Sequence, residues 1–532
     1  MTGRWRTAID RTFAPFVAPS RLVPLLVAVL FAAPGAFVVW RTVRLGDDLA
    51  DALGEIPAPL WRTVQLAVLV ALSGAVLGTG LAWLTTRTNL PGRRIWRVVL
   101  VLPLVLPSFV GAAAFIAGLA PDGIIRSAFD LVGLEAPRRL RGLGASWLVL
   151  TAFTYPYVLL PVSARLANLP ANLEESARIL GLDATRTFLR VTLPQIRSAV
   201  LGGSLLVFLY AVSEFGAVQL LGYDTLTRVI YATRQFDRPL SFTASTVVLV
   251  LALSVVALER WQRGAAPPDR RASAGQRRAV HLGWSAIPAT LACAVVALVG
   301  LVVPIASLLT WARRGLADGR VGFSELVDPA WSTAWVAVLS AVLAVAVVLP
   351  VAIATTRRPS PSSHVSAVAV VGGFAVPGIV IALALAVLTL NTPWLSNWYQ
   401  TLPVLVAAYV VHFGSQALAS TEGAVRAVPN SLRESSRLLD PRPVRRWVTV
   451  DLPLMRPGLL AGGGLVMLAT LKELPATLLL APIGFHTLAT EIWGDYEEGF
   501  YAAAGLASLA LIALSAVLTW VLVLRRSGVV GR

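Results

Sequence analysis

The chain has 532 residues, of which 56% are hydrophobic and only 14% charged. A soluble protein carries about 25% charged residues, so a soluble globular fold is excluded and a membrane class follows. The formal net charge of +17 would suit a nucleic-acid partner. Here, however, the arginines sit in short loops between apolar runs, which is the positive-inside pattern.

A hydrocarbon core of about 30 Å takes about 20 mostly apolar residues per helix, and helices satisfy their own backbone groups in lipid. In chain order, twelve spans are predicted near 22–40, 63–84, 98–119, 145–165, 198–221, 242–258, 285–309, 332–355, 365–390, 402–420, 457–480 and 500–524. Arg4, Arg6, Arg11 and Arg21 precede the first one without a convincing cleavage pattern, so this helix is expected to be retained. Loops expected in the cytoplasm carry Arg87, Arg93, Arg94 and Arg97, then Arg260 to Arg278, then Arg357 and Arg358, and last Arg525 and Arg526. The opposite loops are mixed or acidic, as at Asp47, Asp48, Asp51 and Glu55, or at Glu491, Asp495, Glu497 and Glu498. Both termini are therefore expected in the cytoplasm. The loop with Arg138, Arg139 and Arg141 fits this scheme least well.

The chain divides into residues 1–262, a polar linker 263–280 with Pro267 and Pro268, and residues 281–532. The two large parts are repeats. Pro170, Glu175 and Leu193-Pro194 recur 259 residues later as Pro429, Glu434 and Leu452-Pro453. Thr85-Thr86-Arg87 and Pro107 recur 270 residues later as Thr355-Thr356-Arg357 and Pro377. A constant offset across polar loops is not a chance match of apolar strings. Six spans per half give both halves one orientation, related by an axis along the membrane normal.

Each half carries a polar loop, at 170–194 and 429–453, which reads as a compact helix–turn–helix on the cytoplasmic face. Asn172 with Glu175, and Ser431 with Glu434, have the spacing of a helix N-cap and its reciprocal N3 glutamate. Gly181 is placed to stop the first helix in a left-handed conformation. Asp440 holds that position in the second copy, where Pro441 would do the stopping.

Glu175-Ser176-Ala177, Gly181 and Val191-Thr192-Leu193-Pro194 resemble the Glu-Ala-Ala loop of ABC importer permeases. Glu434-Ser435-Ser436 to Leu452-Pro453 keeps the same spacing, with Asp440 in place of glycine. The resemblance implies an all-α fold of the type I importer permease class. It also implies two cytoplasmic ATPase subunits seated on these loops, an extracytoplasmic substrate-binding protein, and a prokaryotic inner membrane location. ATP and Mg would then be bound by the partner subunits, and no cofactor by this chain. Consistent with this, the single lysine, Lys472, lies in a span without the glycines of a Walker A loop, so the chain is expected not to be an enzyme.

Glu214, Lys472 and Glu473 fall within predicted spans, where a charge costs about 2.5–3.5 kcal/mol on insertion scales. With Ser213 they are the candidate translocation pathway. Glu214 and Glu473 would face a central cavity, with Lys472 neutralising Glu214 across the interface; a purely structural interhelical ion pair, or glutamates bonded to backbone, is the competing reading. Gly462-Gly463-Gly464 is expected to allow close helix approach. Four unclustered histidines and one cysteine argue against a metal site, and His412, Tyr155 and Tyr157 are given no role. Ser213-Glu214-Phe215-Gly216-Ala217 and Lys472-Glu473-Leu474-Pro475-Ala476-Thr477 are most similar to the ferric-iron branch. Thiamine, aminoethylphosphonate or another small solute remain alternatives, and an ion-gradient-driven transporter is a further one.

Overall fold

The computed structural model describes residues 22–264 and 280–519, apart from 171–173, 175, 178 and 441. Among them the regular structure is helical, with one isolated bridge between Thr88 and Val280. Among the described residues, ten helices are long and apolar enough to cross a membrane, or twelve when each of two bent pairs counts as one span. The second span (Pro57–Arg87) and the eighth (helix Val327–Arg357) are each 31 residues long. At 1.5 Å per residue that is about 46 Å, enough to carry Arg87 and Arg357 beyond the hydrocarbon core.

Four spans expected to be continuous are broken. The third consists of Arg93–Val105 and Ser108–Leu119 bent by 94°, and the ninth of Pro361–Ala375 and Gly378–Asn391 bent by 104°. Proline forces the residue before it out of the helical region and lacks an N–H. Leu106 and Val376, which precede Pro107 and Pro377, are accordingly extended, with ψ of 126° and 120°. The fifth span stops at Ser213, and a short helix, Gly216–Leu220, follows. The eleventh stops at Leu471 ahead of Pro475–Leu480.

The halves exchange their first spans. Leu22–Val43 packs on Pro361–Ala375 and Gly378–Asn391 of the second half, while Val303–Ala317 packs on Ser108–Leu119 of the first. Phe31 is fully buried against two glycines there. A Cβ on Gly414 would stand 2.5 Å from Phe31 Cζ, and one on Gly373 would stand 2.9 Å from Phe31 Cδ1. On the other side Trp311 Nε1 donates to Ala117 O at 2.9 Å. The largest apolar cluster joins Phe109, Phe215 and Leu226 to Leu474, Ala476 and Trp493, so the contact between halves is itself a core. Leu26, Val29, Leu72 and Val76 face outward, as lipid-facing residues do. Gly462 permits the expected close approach, its Cβ position lying 3.2 Å from Ala417 O.

Chain entry into the second half is pinned at the membrane face. Val280 N donates to Arg87 O at 2.9 Å and Asn89 N to Val280 O at 3.1 Å. Replacing Gly414 by alanine should overpack the Phe31 socket and cost about 1–3 kcal/mol. Thermal unfolding in detergent should show that loss, with partial recovery in the Gly414→Ala, Phe31→Ala double variant. Gly80→Ala, where nothing lies within 4 Å, should unfold like the parent.

Candidate functional site

The first polar loop ends its leading helix as the sequence implies. Gly181 has φ +87°, and Leu180 N and Leu182 N donate to Ser176 O and Ala177 O, each at 3.1 Å. The 6→1 bond from Leu182 is the Schellman closure, which needs a left-handed residue that glycine adopts without a Cβ clash. Asp183 Oδ1 then accepts from Arg186 N at 2.6 Å and starts the next turn. Glu175 and Asn172 lie outside the described residues.

The second loop departs from expectation at its start. Its helix is Asn430–Leu439, with Pro429 at the N-cap in extended conformation and no side-chain cap. Ser431 therefore falls inside the first turn, and the Ser431–Glu434 capping box does not form. Glu434 is exposed and makes no hydrogen bond or ion pair with the described residues. At the far end Asp440 is extended, and its carboxylate accepts from Arg442 N at 2.9 Å and pairs with Arg445 at 3.4 Å. Pro441, expected to stop this helix, lies outside the described residues.

Neither loop is the separate helix–turn–helix expected. Ala184–Thr187 and Pro443–Arg446 run through π turns, Phe188–Thr192 and Trp447–Asp451, straight into helices Leu193–Ser213 and Leu452–Leu471. Pro194 and Pro453 lack the N–H of a regular α ladder, and a wider turn just before each accommodates that loss. Each loop is thus one end of a helix whose other end is a mid-membrane break.

Sequence reasoning missed two sets of residues. Ile179 and Leu180 are 86% and 82% exposed, and Leu438 and Leu439, at the equivalent positions, 89% and 87%. Paired aliphatics this exposed on a polar loop mark a protein contact more than a solvated face. The other set ties each loop to a span. Arg87, 7% exposed, lies 3.7 Å from Glu174, which accepts from Thr192 Oγ1 at 3.0 Å. In the second half Arg357 and Arg433 lie 3.1 and 2.9 Å from Asp451 Oδ1. Glu174 corresponds to Arg433, and Thr192 to Asp451. The arginine ending the long span stays, while the carboxylate changes sides. The exchange is visible at the 259-residue offset, but nothing in the sequence says that these positions meet.

In mid-membrane, Glu214 sits on extended backbone within a break. Its carboxylate accepts from Ala217 N at 2.9 Å and Ser108 Oγ at 2.8 Å, and Tyr210 OH donates to Ser108 Oγ at 2.9 Å. Glu473 repeats the cap, accepting from Ala476 N at 3.1 Å. The residue equivalent to Ser108 is Gly378, whose Cβ position lies 2.7 Å from Glu473 Oε1 and 3.4 Å from His412 Nε2. His412, given no role from the sequence, therefore belongs to this cluster. Both glutamates are over 90% buried, rather than open to a cavity. A carboxylate at the start of one helix and beside the start of another is stabilised by free amides and aligned dipoles. Lys472 does not pair with Glu214. Its Nζ donates to Leu104 O at 2.9 Å, across the boundary between halves.

A family model described as binding-protein-dependent transport system inner membrane component matches residues 74–266 and again 346–527. The chain belongs to this family. It is thus a multi-pass inner-membrane permease of the ABC importer class, built from two tandem permease units. It is 27% identical over 506 residues to an Fe(3+)-transport system permease protein of Haemophilus influenzae, covering 93% of this chain and 96% of that one. It is also 28% identical over 221 residues to a sulfate transport system permease protein of Escherichia coli, covering 40% of this chain and 74% of the relative. A probable sulfate transport system permease protein of Chlorokybus atmophyticus is 26% identical over 197 residues, 36% of this chain and 68% of the relative.

The charge exchange between this permease's repeats can be tested by swapping them. Asp451→Thr strands Arg357 and Arg433 together and should cost about 3 kcal/mol, as a broken buried pair does. The R433E/D451T double variant rebuilds the first-half arrangement around Arg357 and should recover most of that loss in thermal unfolding. A double variant as unstable as the two single losses combined would deny the latch.

On the opposite face, burial first, then Glu491, Glu498 and Glu325, push the Asp495 carboxyl up to about 6. The folded chain therefore keeps a proton that the unfolded chain loses near pH 4. The stability this gives is full below about pH 4 and is lost as pH rises through about 6. Asp495→Asn should flatten the fall in thermal stability between pH 5 and pH 7.

Proposed function

We propose that the chain is the translocation subunit of a ferric-iron importer. It would accept iron from an extracytoplasmic binding protein and be driven by two separate ATPase subunits. The observation that carries this reading is the duplicated loop with its exposed aliphatic pair, together with an Fe(3+)-transport relative matched over nearly the whole chain. Ile179 and Leu180 would seat in one ATPase subunit, and Leu438 and Leu439 in the other. Ser176, Ala177 and the exposed Glu434 and Ser435 lie on the same short helices, and Glu175 belongs to this surface by sequence. Ser436, whose hydroxyl donates to Arg433 O at 2.8 Å, holds the second helix from within. This reading places the loops, the linker and both termini in the cytoplasm. ATP and Mg would be held by the ATPase subunits.

The mechanism follows from helix continuity. When ATP draws the ATPase subunits together, the two loops move with them. Through the π turns each loop moves a helix whose far end carries Ser213-Glu214 or Lys472-Glu473. Leu193–Ser213 has 21 residues and would act as a lever of about 32 Å. The halves then rock about the breaks, and access alternates between the two faces. Carboxylates are hard oxygen donors suited to a hard cation, and Glu214 and Glu473 would become available to it as the breaks open.

Leu180→Asp with Leu439→Asp should abolish co-purification of the ATPase and ATP-driven uptake while thermal unfolding stays near that of the parent. Uptake of radioactive ferric iron into vesicles is the direct assay. Uptake that survives a catalytically dead ATPase would point instead to an ion-gradient transporter, and sulfate or thiamine uptake without iron uptake would move the substrate. Unchanged iron uptake in both Glu214→Gln and Glu473→Gln would remove those residues from the pathway.

A further inference from the structure

A cleft of about 790 Å³ lies in the second half, between the ends of the eighth and tenth spans, the start of Pro361–Ala375 and the polar loop. Six arginines line it: Arg357, Arg358, Arg426, Arg433, Arg437 and Arg446. Two carboxylates answer them. Asp451 holds Arg357 and Arg433, and Glu422, just outside, lies 3.1 Å from Arg426. Arg446 donates to Asp440 O at 2.9 Å. Arg358 and Arg437 make no side-chain hydrogen bond or ion pair with the described residues. The cleft therefore has a cationic excess with two guanidinium groups uncommitted.

Positive-inside bias alone does not explain this wall, because it acts on both halves alike. The equivalent first-half positions are Arg87, Thr88, Ala167, Glu174, Arg178 and Thr187, which is two arginines and one acid. The site is a property of the second copy. Guanidinium forks match the oxygens of a phosphate, and basic pockets between helices at the cytoplasmic face suit phosphorylated head groups. The helix starting at Pro361, capped by Ser360, adds a favourable N-terminus to the same wall. The volume falls within the usual range for a small-ligand site.

We propose that this cleft binds a phosphate-bearing anion, either the head group of an anionic phospholipid or a free phosphate compound. The anion would bridge the second polar loop to the ends of the spans above it, in that half only. The inference rests on the cytoplasmic placement of the loops, but it is tested by binding and not by transport, so failure of either reading is distinguishable.

The experiment uses the delipidated full chain in neutral detergent, titrated with phosphatidylglycerol, with phosphatidylcholine, and with inorganic phosphate. Bound ligand is read by native mass spectrometry. R358A/R437A is compared with R93A/R94A, which removes two exposed arginines from the first half. Phosphatidylglycerol should bind the parent and R93A/R94A alike and R358A/R437A roughly thirty-fold more weakly, while phosphatidylcholine should not discriminate. Displacement of the lipid by inorganic phosphate, or phosphate binding that follows the same variants, assigns the site to free phosphate compounds. Lipid binding that phosphate does not displace assigns it to the bilayer. Equal binding by all variants overturns the proposal. So does a variant that keeps anion binding and loses only its ATPase partner, because the arginines would then be a protein-docking face. The single variants R358A and R437A carry the same test if the double variant does not purify.

Discussion

The bond from Ala217 N to the Glu214 carboxylate, and its repeat from Ala476 N to Glu473, are what the geometry of the broken helices depends on. In hydrocarbon every backbone amide needs a partner, so a helix can be broken there only where something else takes up the freed groups. A buried carboxylate has the converse need for donors. Placing each glutamate at the start of a short helix meets both needs at once. The chain can then hold four helix breaks in the membrane. Lys472 belongs to the same economy of groups, because it takes the Leu104 carbonyl left on the turn before Pro107.

Around that shared frame the two copies have drifted in chemistry while keeping their geometry. Both have a π turn before the proline, an arginine at the end of a 31-residue helix, and an exposed aliphatic pair on the loop. Gly181 closes one loop through left-handed backbone, whereas Asp440 closes the other through its carboxylate. Ser108 donates to one glutamate, and Gly378 makes room for the other beside His412. The carboxylate that meets the arginine lies on the loop helix in one half and at the foot of the next span in the other. A permease joined in one chain can hold such differences, because neither copy has to pair with itself.

In the proposed importer these features form one path from the ATPase to the membrane centre. The exposed aliphatic pairs take the motion, the latch keeps the loop fixed to the end of the long span, and the continuous helix carries it to the glutamate break. Exchange of the first spans means that neither half can move without dragging a helix packed on the other. The arginine-lined cleft sits beside only one of these paths, so an anion there would act on the two copies unequally.

The sequence by itself determined the class, the all-helical make-up with ten to twelve candidate spans, and the duplication. These rest on hydropathy and constant offset, which are properties of residues in order. It also identified Gly181 correctly, because a left-handed stop is a local requirement. Only the tertiary structure decided where spans break and what the intramembrane charges touch. Pro107 and Pro377 were visible, but whether a proline kinks a helix or severs it depends on what receives the freed amides. The Ser431–Glu434 spacing fitted a capping box until Pro429 took the cap. Glu174 and Arg433, or Lys472 and Leu104, are ordinary residues until packing sets them side by side. Burial and distance between remote segments are not encoded in spacing, and the chemistry of this permease lies in those distances.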